Sequence, residues 1–150
     1  MSFADQLKGF VNQKREREAA DAAERTMQVK KGWSTVVELF YRDLKGWCVK
    51  RAQSGESDLT FAFFNFIRTF DSQRRLLDAS GNSYSLTQEE EMLLWDVRRS
   101  LCYDDRLSAS YAQDLGRQIT ARFRAEGLEV QATPLENNAA FPDVEFYIQW

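Results

Sequence analysis

A chain of 150 residues with 43% hydrophobic and 29% charged side chains, and only 7 Gly and 2 Pro, has the composition of one folded domain rather than of a disordered or collagen-like chain. Its 20 basic and 23 acidic residues leave a net charge of -3, so bulk electrostatics exert no pull toward nucleic acid. Histidine is absent, which excludes Ser-His-Asp and Cys-His nucleophile pairs, the HExxH zinc site and haem ligation by imidazole.

Two cysteines, Cys48 and Cys102, are too few for a four-ligand zinc site within one chain, and neither belongs to a CxxC motif. No apolar run reaches the roughly 18 residues of a spanning helix, so no membrane segment is expected. The charged start Met1-Ser-Phe-Ala-Asp-Gln-Leu-Lys is unlike a secretory signal. The expected location is cytoplasmic, with both thiols reduced.

In chain order, Ser2 caps a first helix with Asp5 three residues on, and Phe3, Leu7, Phe10 and Val11 repeat at one-face helical spacing. From Lys14 to Arg25 eight of twelve residues are charged and the rest are Ala, with Arg17–Asp21 and Asp21–Arg25 at helical pair spacing. Such a stretch is helical with little to bury. Val29, Trp33, Val36, Val37, Phe40, Tyr41, Leu44, Trp47 and Cys48 then form one broad apolar stripe, which predicts an amphipathic core helix. An unbroken helix over 3–52 would be roughly 75 Å long, more than a compact domain of this size spans. Either a bend near Thr26–Gly32 or a projecting arm over 1–31 is therefore expected.

Ser54-Gly-Glu-Ser-Asp58 reads as a loop ending in a cap, followed by a third helix carrying Leu59, Phe63, Phe66, Ile67, Phe70 and Leu77. Phe61 and Phe64 point off its main stripe. Asp78-Ala-Ser-Gly-Asn-Ser is a turn, and Leu76-Leu77 with Tyr84-Ser-Leu86 suits a short hairpin around it. Thr87 and Glu90 make a capping box for a central helix with Met92, Leu93, Leu94, Trp95, Val97 and Leu101. A last helix starts at Ser108 or Ser110, repeats Tyr111, Leu115, Ile119 and Phe123, and stops at Gly127.

The period then changes from helical to alternating. Leu128, Val130 and Ala132 alternate with Glu129 and Gln131, and Val144, Phe146, Ile148 and Trp150 alternate with Glu145, Tyr147 and Gln149. Two half-buried strands follow, joined over Pro134–Pro142. Two strands alone are marginal in water, so their apolar face must cover helices or their edge must pair with another strand. The expected fold is α+β: a single, mainly helical domain over 1–150 of about five helices with a C-terminal two-stranded antiparallel element. Helices first and strands last exclude a doubly wound parallel sheet.

Candidate sites are few. Asp143 and Glu145 stand two apart on a strand, where both carboxylates face one side and suit magnesium. The lysine that accompanies such a pair in metal-dependent nucleases is missing, so the plain reading is solvent-facing strand acids. Asp104-Asp105-Arg106 offers a carboxylate pair with an arginine, or more simply a helix-stop loop. GxxxxGK[ST], GxGxxG and GxSxG are absent, and no cofactor is implied. Arg117 and Arg124 are seven apart on the last helix and share a face with Gln113 and Thr120, a geometry that suits a phosphate backbone. Cys48 lies on the apolar stripe as a small hydrophobe.

Basic residues are unevenly spread: residues 1–57 carry 11 Lys or Arg against 8 acids, while 128–150 carry no base and 4 acids. The aromatics fill the core, and Phe61, Phe64, Tyr147 and Trp150 are hardest to place inside, which marks them as partner-binding anchors. The sequence thus favours a non-catalytic interaction, accessory or inhibitor protein. Its partner would be another protein or a second copy, held by an aromatic helix face or an exposed strand edge. The alternatives are a carboxylate-based, magnesium-using enzyme and a nucleic-acid binder using the last helix.

Overall fold

The computed structural model describes residues 2–63, 66, 76–102, 105–135 and 143–150. Among them are three helices, α1 (Phe3–Gln53), α2 (Gln88–Cys102) and α3 (Asp105–Ala125). Five short strands accompany them: β1 (Asp58–Ala62), β2 (Leu76–Leu77), β3 (Ser83–Tyr84), β4 (Glu129–Leu135) and β5 (Asp143–Gln149). The broad α+β class holds, but the count of about five helices does not.

The first reason is that the two N-terminal helices are one. Ser2 and Asp5 form the predicted capping box, with the Asp5 N–H donating to Ser2 Oγ at 3.2 Å, and the helix then runs without a break to Gln53. At 1.5 Å per residue it is about 76 Å long. No break occurs at Thr26–Gly32; upstream, the charged stretch carries the exposed i,i+4 pair Lys14–Glu18. Residues 2–21 are exposed throughout, and Val29 is the first fully buried side chain. Phe3 and Phe10 are 74% and 66% exposed. A chain lacking residues 1–20 is therefore expected to melt within about 2 °C of the full chain, followed by circular dichroism. A larger drop would mean that the segment packs on the body.

A second difference from the expected elements lies after Ser57. Residues 58–62 form a strand, not the start of a helix. Leu59 is buried and Phe61 half-buried, whereas Thr60 is exposed and Asp58 half-buried; this alternation is a strand's period of two. Phe63 and Phe66 are helical and buried. Phe64, Ile67 and Phe70 lie outside the described residues, and Leu77 belongs to β2.

The predicted antiparallel pair is present, with Val130 opposite Ile148 and Ala132 opposite Phe146. It is not a two-stranded element, however. β1 adds antiparallel to the other side of β5, with Leu59 opposite Ile148 and Phe61 opposite Phe146, so the order is β1-β5-β4. Among the described residues β5 is thus central, and β4 is a sheet edge. The suggested hairpin also forms: Leu76 pairs with Tyr84 and Leu77 with Ser83.

One face of the sheet, with Leu59, Val130, Val144, Phe146 and Ile148, packs on the helices. Phe40 sits at the centre, its ring 5.1, 5.0 and 5.6 Å from those of Phe63, Phe66 and Phe146, distances at which aromatic pairs add to their area burial. α1 crosses α2 at Gly32, where a Cβ would lie 2.5 Å from Leu93 Cδ2 and 2.6 Å from Val97 Cγ2. Only glycine permits that approach. α1 is tied to α3 by Trp33 Nε1 donating to Asp114 Oδ2 at 2.7 Å. About two turns further on, the Arg122 guanidinium lies 3.8 Å over the Tyr41 ring and pairs with Glu38.

Candidate functional site

α3 hands the chain directly to β4. Gly127, at φ +87°, ends the helix, with Leu128 N–H donating to Phe123 O at 3.1 Å. Ala112, Leu115, Ile119 and Phe123 turn inward to the core. At Gly116 the helix rests against the sheet, where a Cβ would make only ordinary contact with Ala132 Cβ at 3.6 Å and Val144 Cγ1 at 3.9 Å. The flank of α3 that remains faces along the sheet toward the unpaired side of β4.

Between that flank and the β4 edge lies a cleft of about 830 Å³. Its helix wall carries Gln113, Arg117, Thr120 and Arg124, the face that spacing predicts. Its floor is mostly apolar, with Ala132, Pro134, Leu135 and Val144. Arg117 is 79% exposed and stands 3.8 Å from Asp114, a weak surface pair. Arg124 Nη2 donates to the Val130 carbonyl at 3.2 Å. Asp143 also lines the cleft, but it is 3% exposed and its Oδ1 accepts from Val144 N–H at 2.8 Å.

The burial of Asp143 corrects the expectation of solvent-facing strand acids. It stands at the first pair of the β5–β4 ladder, opposite Leu135, where the start of the strand sinks its carboxylate. Glu145 is half-buried on the same strand, opposite Thr133. Among the described residues no group of three or more Cys, Asp or Glu is placed to hold a metal ion. Asp104 lies outside the described residues, and Asp105 and Arg106 open α3.

Of the four aromatic anchors, three lie among the described residues. Phe61 is on β1, not on a helix face, and its ring lies 6.2 Å from Trp47 and 6.3 Å from Phe40, so it closes the edge of the core. Tyr147 projects from the opposite face of the sheet, donating through its hydroxyl to Asp58 Oδ2 at 3.2 Å and accepting from Gln149 Nε2 at 2.9 Å. Trp150 is 41% exposed, with its N–H donating to Ser57 O at 3.1 Å. Phe64 lies outside the described residues. Cys48 is half-buried, and burial pushes its thiol up to about 12, which keeps it protonated and inert as a nucleophile. Cys102 is exposed at the end of α2.

Sequence reasoning finds the arginine face but misses what it faces. Asp58-Leu-Thr-Phe-Ala62 carries the signal, because Leu59, Phe61 and Phe63 alternate with polar or small residues; the aromatic run at i,i+3 and i,i+4 outweighs it. Once β1 takes one side of β5, β4 is left, among the described residues, as the open edge beside α3. Comparison of the chain with protein-family models, with curated proteins and with solved structures finds no match in any of the three.

Proposed function

We propose that this protein acts by holding a partner polypeptide rather than by making or breaking bonds, and that the cleft between α3 and β4 is where it does so. The observation that carries this reading is the position of β4 at the end of the sheet order β1-β5-β4, with an exposed Ala132 and a mostly apolar cleft along it. An unpaired strand presents a row of backbone donors and acceptors, and adding a strand to such an edge is a recurring mode of peptide recognition. The chemical vocabulary of the chain points the same way, since histidine is absent.

The test is affinity capture from the host, comparing the native chain with Thr120→Arg and Ala121→Arg, which fill the cleft from its helix wall, and with Trp150→Ala, which lies away from it. A partner lost by both arginine variants and kept by Trp150→Ala is the expected result. Equal capture by all four chains would remove the cleft from consideration. Light scattering on the same set identifies the partner as a second copy if the native chain dimerises and the filled variants do not.

A further inference from the structure

We propose that the occupant of the α3–β4 cleft is an extended, acidic polypeptide segment that pairs with β4 at Ala132 and draws Arg124 off the Val130 carbonyl; this rests on the reading of the cleft as a polypeptide site. The Arg124 contact fixes the direction of the backbone: the Val130 carbonyl, which accepts from Nη2 at 3.2 Å, points away from β5. Along an antiparallel strand alternate residues turn their N–H and C=O to the same side. The backbone groups of Ala132 therefore also point outward, as does the Pro134 carbonyl. Proline has no N–H, so the edge is shortened at that end, and Arg124 covers it at the other. Among the described residues Ala132 is left between them as an open donor and acceptor.

A polypeptide meets those two groups with an N–H and a C=O of its own. A phosphodiester backbone has no N–H donor, so nucleic acid would match the arginines but not the strand. Charge then selects among polypeptides. Among the described residues, Arg117 and Arg124 are opposed by Asp143, which is sunk and already accepts from the Val144 N–H, and by Asp114, whose exposed pair with Arg117 at 3.8 Å is weak. The mouth is therefore cationic. Seven helical positions separate the arginines by about 10 Å along the axis, and carboxylates two residues apart on a strand are about 7 Å apart, a difference that flexible arginine stems absorb. A carboxylate reaching Arg124 offers a charge-assisted pair in exchange for a neutral carbonyl, and the carbonyl so released accepts the next N–H of the incoming strand.

The proposal is tested by backbone-amide NMR on the full-length chain, titrated separately with an acetylated Glu-Val-Glu-Val-Glu peptide, its Lys-Val-Lys-Val-Lys counterpart and a short single-stranded oligonucleotide. The expected result is saturable shifts at Ala132, Gly116 and Thr120 with the acidic peptide alone, weakened about five- to tenfold in Arg117→Gln/Arg124→Gln. Equal shifts with both peptides would overturn the acidic preference while leaving polypeptide capture standing. Shifts with the oligonucleotide alone, or none at these amides with either peptide, would overturn both.

Discussion

Gly46→Ala is expected to destabilise the protein by about 2–4 kcal/mol, although alanine is the better helix former by about 1 kcal/mol. Gly46 lies inside α1, where the hairpin β2–β3 rests on it: a Cβ would stand 2.4 Å from the Asp78 carbonyl oxygen and 2.5 Å from Leu77 Cβ. One of those neighbours is backbone, held by the turn that it begins. Asp78 O accepts from Gly81 N–H at 3.0 Å, and Asp78 N–H donates to Asn82 O at 2.8 Å, so the oxygen has little freedom to withdraw. The hairpin must lift from the helix, exposing Leu76 and Leu77, which are 1% and 3% exposed. Urea denaturation measures the loss. Gly9→Ala is the control, since nothing lies within 4 Å of a Cβ there, and that change is expected to be neutral or slightly stabilising. A Gly46→Ala variant as stable as the native chain would mean that the hairpin does not sit on the helix.

Asp43→Asn is expected to stabilise the protein at neutral pH and to flatten its stability in the acid range. Asp43 is 3% exposed beneath the same hairpin, where its Oδ1 accepts from Leu77 N–H at 2.9 Å. Burial pushes its carboxyl from 3.8 up to about 6, against the pull of the Leu77 N–H and the Trp47 side chain. A carboxyl whose folded value lies above its unfolded one favours the folded state most when protonated. That advantage is complete below about pH 4, fades as pH rises to about 6 and is absent above it, a span worth at most about 3 kcal/mol. Asparagine keeps an acceptor for Leu77 and carries no charge. Glu38 and Glu126 act in the opposite sense, because hydrogen bonds from Arg122 and from Tyr41 lower them; both are largely exposed, and the difference between native and variant chains cancels them. Denaturation curves at pH 4.5 and pH 7.5 should show a gain of about 1–3 kcal/mol for the variant at the higher pH only. A variant weaker at pH 7.5 would mean that the hydrogen bonds of the carboxylate outweigh its desolvation.

The parts of this fold that can be read from the residues are those written by periodicity over long windows. The stripe from Val29 to Cys48 marks the buried half of α1, Thr87–Glu90 marks the start of α2, and the alternation from Val144 to Trp150 marks β5. Local chemistry sufficed in each case, because every second, third or fourth residue states which way it faces. The unity of α1 is not legible in this way, since Lys14–Arg25 carries no apolar face and its helicity depends on charge pairs and on continuity with its neighbours. β1 is illegible for another reason. Five residues are too few to separate a period of two from one of 3.6 when phenylalanines crowd both, and only pairing with β5, some ninety residues away, decides it. The candidate site divides along the same line. The face shared by Gln113, Arg117, Thr120 and Arg124 follows from helical spacing alone, whereas the edge opposite requires knowing on which side of β5 each neighbour lies.

The length of α1 also governs how the molecule moves as a whole. Its residues 2–21 are exposed throughout, while the sheet and the other helices gather along its second half, so drag is distributed unevenly along one axis. Spinning about that axis is quick, while end-over-end tumbling is slow. Amide vectors in a helix lie nearly parallel to it and are reoriented only by the slower motion, so those of α1 relax as if they belonged to a heavier protein, whereas vectors lying across the axis sample the faster rotation as well.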